Sequence, residues 1–184
     1  MGGSSAFQRH QEGFETSREF SGRRMLAALR LRLRRQHLTH ATHRVALAAA
    51  RDLALVANKA NAVNAISLAD LVKVSKAQTN RWPDGKAVTL VMRAPSAPEM
   101  KLFVEKVYGM TESEVTELVA TANHGRTNHP AIVVVSSDDE LVNRVASIPG
   151  AVGVVDVYSI NSSVAVVKVA GKLPLEPGYL LHGN

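Results

Sequence analysis

The chain has 184 residues, 46% of them hydrophobic, and no cysteine. It is long enough for one domain with a substantial core, while disulfides, thiolate metal sites and cysteine nucleophiles are excluded. Its net charge of +6 is lopsided, because residues 1–51 hold ten Lys/Arg against three Glu, whereas residues 52–184 hold twelve against thirteen Asp/Glu.

The amino-terminal arm is therefore the basic part, and the remainder is close to neutral. Residues 1–22 are rich in Gly, Ser, Gln and Glu without a sustained period, the composition of a disordered segment. Met25–Gln36 fits either a short helix or an edge strand, since Leu29, Leu31 and Leu33 alternate with arginines. Those arginines interrupt the apolar core that a secretory signal needs, so no signal peptide is visible. No apolar run reaches the ~18 residues of a membrane span. His37, His40 and His43 share one face if helical, but no nearby carboxylate completes a zinc set, and no metal site is expected.

From Val45 onward the pattern becomes regular. Val45–Ala48 and Leu53–Ala57 predict short strands, followed by an asparagine-rich turn over 58–64. Ser67-Leu68-Ala69-Asp70 predicts a helix start, with Leu68, Leu71 and Val72 inward. Asn80–Gly85 predicts a turn carrying Trp82, the single tryptophan, placed at a core edge. Thr89–Met92 predicts a buried strand, because its residues are apolar or β-branched. Pro95 ends it, and Ser96-Ala97-Pro98-Glu99 has the form of a capping box opening a helix. Met100, Phe103, Val104 and Val107 form the apolar face of that helix.

Thr111-Glu112-Ser113-Glu114 predicts another helix start, with Val115, Leu118, Val119 and Ala122 inward and His124-Gly125 as the stop. Ala131–Val135 predicts a strand. Ser137-Asp138-Asp139-Glu140 predicts a helix start whose acids complement the helix dipole. Leu141, Val142, Val145 and Ile148 turn inward, and Pro149-Gly150 ends the helix. Val152–Val157 and Val164–Val169 predict two further strands, and residues 171–184 an extended tail rich in Pro and Gly. Strands alternating with helices predict an α/β fold, with a mostly parallel sheet flanked by helices. The expected division is a basic arm over 1–44, disordered or partly helical, and an α/β lobe over 45–184.

The sequence contains no P-loop, no Gly-x-Gly-x-x-Gly and no Gly-x-Ser-x-Gly. His124 and His129 lack an obvious acidic partner. No catalytic constellation is readable, so no enzyme activity and no cofactor are expected. What remains is Arg93 at the carboxyl end of a strand, with Ser96, Ser136 and Ser137 at helix starts. A cation, hydroxyls and free helical amides there suit an oxyanion, although an ordinary turn with a solvated Arg93 gives the same local pattern.

Arg51–Lys59 together with Asn61-Ala62-Val63, Ile66–Leu71, Trp82-Pro83-Asp84-Gly85, Pro149–Val154 and Gly171-Lys172-Leu173-Pro174 with Gly178-Tyr179 resembles the second lobe of periplasmic phosphate-binding proteins of ABC transporters. The six stretches come in the family's order across about three quarters of the chain. The resemblance implies a single lobe of a type II periplasmic binding protein-like fold. It implies phosphate or a similar oxyanion as ligand, bound by Arg93, Ser96 and Ser137, with an ABC transporter permease as partner. It also implies a periplasmic location, or a cytoplasmic one if the chain starts where written, since no signal is visible. The family's Arg-x-Asp-x-Ser-Gly-Thr is here Arg93-Ala94-Pro95-Ser96-Ala97-Pro98, without the acidic acceptor, and Glu99 brings a negative charge towards the anion. Residues 1–44 are too few and too polar for a first lobe. The chain therefore reads as one lobe of a two-lobe protein: a fragment, a misassigned start or a one-lobe relative.

The alternative is a non-catalytic structural or interaction module that has lost its ligand, which the substitutions around Arg93 favour. A nucleic-acid role for the arginine-rich arm is not expected. Aromatics make up 4% of the chain, and the arm's Phe14 and Phe20 offer little for stacking.

Overall fold

The computed structural model describes residues 51–126 and 128–183. The readings of Met25–Gln36, the histidine run, Val45–Ala48 and the boundary at residue 44 lie outside the described residues. Leu53–Asn58 forms β1, every residue of which is buried. Leu53, Leu55 and Ala57 face one side of the sheet, and Ala54 and Val56 the other. That alternation, apolar on both faces, is what a central strand covered by helices on both sides requires.

A two-residue strand β2 (Ala65–Ile66) leads into α1 (Leu68–Ser75), capped by the Ser67 hydroxyl, which accepts from the Asp70 amide. The expected apolar face is only partly observed. Leu71 and Val74 are buried, but Leu68 is 37% exposed. It is the first residue of the helix. β3 (Thr89–Arg93) follows, buried up to its last residue.

The helix after β3 corrects the expectation of a capping box at Ser96. Ala97 occupies the N-cap and no side chain caps it. The chain starts as a 3₁₀ turn over Pro98–Met100, passes through α2 (Lys101–Phe103) and continues as a π-helix over Val104–Tyr108. Pro98 has no amide to offer a cap and is preset for the first helical position. Glu99, the expected reciprocal partner of Ser96, is instead engaged by Arg93. Met100, Phe103, Val104 and Val107 are buried as expected, and Phe103 meets Tyr108 edge to face at 5.6 Å. Gly109 closes the element at φ 59°.

α3 (Glu112–Ala122) opens with the complete capping box of Thr111 and Glu114. β4 (Ile132–Val135) precedes α4 (Asp138–Ser147), capped by Ser137, whose hydroxyl accepts from the Glu140 amide. β5 (Ala151–Asp156) and β6 (Val164–Val169) complete the sheet.

The strand order is β2-β6-β1-β5-β3-β4. β3 runs parallel to β4 and β5, and β2 parallel to β6, whereas β1 is antiparallel to both of its neighbours. The sheet is thus mixed and mostly parallel, with α4 on one face and α1, the Pro98–Tyr108 helix and α3 on the other. β5 approaches α4 so closely that a Cβ on Gly153 would lie 2.7 Å from both Leu141 Cδ2 and Val145 Cγ2.

Two polar devices lock the rim where β1 ends. Asn58 donates through Nδ2 to the Val145 and Ala146 carbonyls at 2.9 and 2.7 Å. Asn61 accepts from the Gly150 amide at 2.7 Å and donates to the Ala151 carbonyl at 2.9 Å. The asparagine-rich turn is therefore a clamp on the α4–β5 connection. Trp82 is buried as expected, and its Nε1 donates to the Gly150 carbonyl at 2.7 Å. The tail is not merely extended: Tyr179 and Leu181 are buried in the core, and the Leu53 amide donates to the Leu181 carbonyl.

Candidate functional site

Parallel pairing of β3 and β4 sets Arg93 opposite Val135. The carboxyl end of β3 thus lies beside Ser136, Ser137 and the first turn of α4. This is the edge of an α/β sheet where ligands gather. The Arg93 side chain is 23% exposed and already engaged. Its Nη1 lies 2.8 Å from Glu99 Oε1 and 3.3 Å from Asp138 Oδ1. Asp138 also accepts from the Ser159 hydroxyl through Oδ2 at 3.2 Å. The guanidinium therefore bridges the helix after β3 and the start of α4, and Asp138 in turn ties in the turn after β5.

The hydroxyls are spent in a similar way. Ser137 caps α4. The Ser136 amide and hydroxyl both donate to Glu140 Oε2, at 3.0 and 2.9 Å. Those two bonds, the amide first, hold the Glu140 carboxyl below its usual value. Ser96 is exposed and lines a separate hollow of about 500 Å³ with Pro95, Pro98 and Lys101, which neither Arg93 nor Ser137 lines. The fold thus brings Arg93 and the Ser137 cap together through Asp138, while Ser96 looks elsewhere.

Three members of this cluster were not singled out as site residues from the sequence: Glu99 as a clamp, Asp138 as an ion-pair partner and Ser159 as its donor. The only available signal was the coincidence of Arg93 at a strand end with acids at the next helix start. Tyr158, beside Ser159, is 86% exposed. Chemically the edge holds an arginine at readiness for an oxyanion only if that anion can exchange with two resident carboxylates. No group of three or more potential metal ligands clusters among the described residues.

In fold, this α/β lobe is similar to part of several solved phosphate-receptor structures. The chain is similar in fold to an ABC-type phosphate transport receptor from Vibrio cholerae, at a TM-score of 0.54 and 22% identity, covering 67% of this chain and 48% of that one. It is similar to a putative phosphate ABC transporter substrate-binding protein with bound phosphate from Clostridium perfringens, at 0.51 and 21%, covering 66% and 46%. PstS from Borrelia burgdorferi matches at 0.54 and 13%, covering 73% and 55%. The chain spans about half the length of these structures. No family model and no curated protein matches the sequence.

Proposed function

We propose that this lobe binds a tetrahedral oxyanion of the phosphate class at the carboxyl edge of its sheet, with Arg93 and the Ser137 cap as contacts and no chemistry on the ligand. The observation that carries the reading is the position of Arg93, at the end of β3 and beside the α4 cap, in a fold shared with phosphate receptors. On this reading the lobe serves a periplasmic uptake system and hands its ligand to an ABC transporter permease. No described helix is long and apolar enough to cross a membrane.

The anion has to displace Glu99 and Asp138 from the guanidinium, and a single lobe leaves it exposed to solvent, where each contact is screened. Affinity for phosphate is therefore expected near millimolar, about −4 kcal/mol. Calorimetry with inorganic phosphate tests this. Arg93→Ala should abolish binding, and Glu99→Gln should strengthen it by removing a competitor. Tight binding that survives Arg93→Ala would place the site elsewhere.

A second reading, a structural or interaction module without ligand, is favoured by the same double clamp, which satisfies Arg93 internally. Absence of heat with millimolar phosphate in both the parent and Glu99→Gln would select it.

A further inference from the structure

We infer that the opposite, amino edge of the sheet carries a second anion site, built on Arg81 and Arg126 and suited to a small phosphorylated molecule. A cavity of about 370 Å³ opens there, and Asn80, Arg81, Arg126, Asn128 and His129 line it. Among the described residues no carboxylate contributes to its wall. Arg51 and Arg93 are each paired with acids. Arg81 and Arg126, by contrast, make no ion pair among the described residues. The neighbouring Asp84 is occupied by Lys86 at 2.5 Å.

Both guanidiniums are held by neutral partners. Arg81 Nη1 donates to the Gly85 carbonyl at 2.7 Å, and Arg126 Nη2 donates to Asn80 Oδ1. Neutral acceptors orient a guanidinium without cancelling its charge, so its remaining N–H groups stay available to an anion. The supporting loops are pinned from below. Trp82, next to Arg81, is buried and bonded to the Gly150 carbonyl. The Arg126 amide donates to the Asn123 carbonyl, and the Asn123 side chain bonds both Ala131 and Ile132. Preorganisation of this kind lowers the cost of ordering the site on binding.

The carboxyl end of α3, four residues before Arg126, opposes an anion with about half a charge, against two full positive charges from the arginines. Two guanidinium forks match tetrahedral phosphate oxygens bidentately. A volume of this size falls at the lower end of small-molecule sites and exceeds what one phosphate fills. The carboxamides of Asn80 and Asn128 and the ring nitrogens of His129 offer donors and acceptors for the rest of such a molecule.

The test is a titration of the full chain with inorganic pyrophosphate and with ATP, followed by calorimetry and by the side-chain ¹⁵N resonances of arginine. The site-resolved signals separate this cavity from the basic arm. The expected result is that the Arg81 and Arg126 signals shift, and that Arg81→Ala and Arg126→Ala each weaken binding by about tenfold or more, the loss of a charge-assisted pair. In Arg93→Ala the Arg81 and Arg126 signals should still shift, whatever that variant does at the carboxyl edge. Arg81 is exposed, and Arg81→Lys should retain part of the affinity with the fold intact. The inference is overturned if neither anion moves the two signals, if the double alanine variant binds as the parent does, or if the two signals no longer shift in Arg93→Ala.

Discussion

Gly150 and Gly85 have almost the same backbone angle, φ 90° and 85°, and quite different surroundings. A methyl added at Gly85 meets nothing within 4 Å, whereas one added at Gly150 would lie 2.0 Å from the Ala87 carbonyl oxygen and 3.1 Å from its carbon. Alanine at Gly85 therefore costs only backbone strain, about 1–2 kcal/mol for a left-handed conformation. At Gly150 the same strain applies, and a backbone segment must also move by about an ångström to relieve the overlap. The Gly150 amide and carbonyl are both committed, to Asn61 Oδ1 and Trp82 Nε1, each at 2.7 Å. Movement sufficient to clear Ala87 breaks at least one of these, and a buried group left unpaired costs about 1–3 kcal/mol. The expected total is about 2–5 kcal/mol, at its upper end comparable to the whole stability of a marginal domain.

Thermal unfolding followed by circular dichroism reads this directly. At about 2–4 °C per kcal/mol, Gly150→Ala should lose about 4–20 °C and Gly85→Ala about 2–8 °C, with Gly150→Ala the larger by about 2–12 °C. The comparison between the two variants isolates the steric contact, since their dihedral strain is common. Equal losses would show that residues 86–88 yield freely and that the Asn61–Gly150–Trp82 clamp is not rigid.

Phe103→Ala should destabilise by about 3–5 kcal/mol, the range for a large buried aromatic, and a melting temperature within a degree of the parent would show that the ring is not buried against Tyr108. The carboxyls of Glu114 and Glu140 are both depressed, by amide and hydroxyl bonds from Thr111 and Ser136. Their contribution to stability is present above the ordinary glutamate value of about 4.5 and is lost as pH falls through the lower folded values. Glu114→Gln with Glu140→Gln should therefore flatten the acid limb of a stability–pH curve, and an unchanged limb would refute the assignment. We propose the division near residue 44 as the boundary of the folded lobe. Limited trypsin digestion should leave a stable fragment beginning between Arg35 and Arg51, and cleavage spread through 52–184 would count against that boundary.

Much of the element order was legible because its causes are local. Ser67, Thr111 and Ser137 each cap the helix they precede, since the cap is a contact between residues three apart. The same motif failed at Ser96, where Pro98 occupies the first position and Glu99 is drawn to Arg93. No short window contains that competition in full. The roles of Asn58 and Asn61 were hidden for a similar reason, because their partners lie 87 to 90 residues away. Composition marks a polar turn there and cannot say what the amides hold. Nor could periodicity give the direction of β1, because a strand buried on both faces looks the same whether its neighbours run with it or against it. The buried tail escaped as well: Tyr179 and Leu181 sit among prolines and glycines, and their burial depends on the β1 surface being available beneath them.

The candidate anion edge follows from the same contrast between local and distant causes. The acids at the start of α4 suit its dipole, a half-charge effect that any helix start would favour. Parallel pairing of β3 with β4 then carries Arg93 to them, and a full charge meeting full charges dominates the half charges of the helix ends. Arg93 stands there against Glu99, Asp138, Asp139 and Glu140, a formal excess of three negative charges within the edge. At the other end of the sheet the arginines are held by neutral oxygens instead. The backbone geometry favours anions at the carboxyl edge, while the side chains shift that preference towards the amino edge. An oxyanion at Arg93 must therefore compete with resident carboxylates, whereas one at Arg81 and Arg126 meets no such competitor among the described residues.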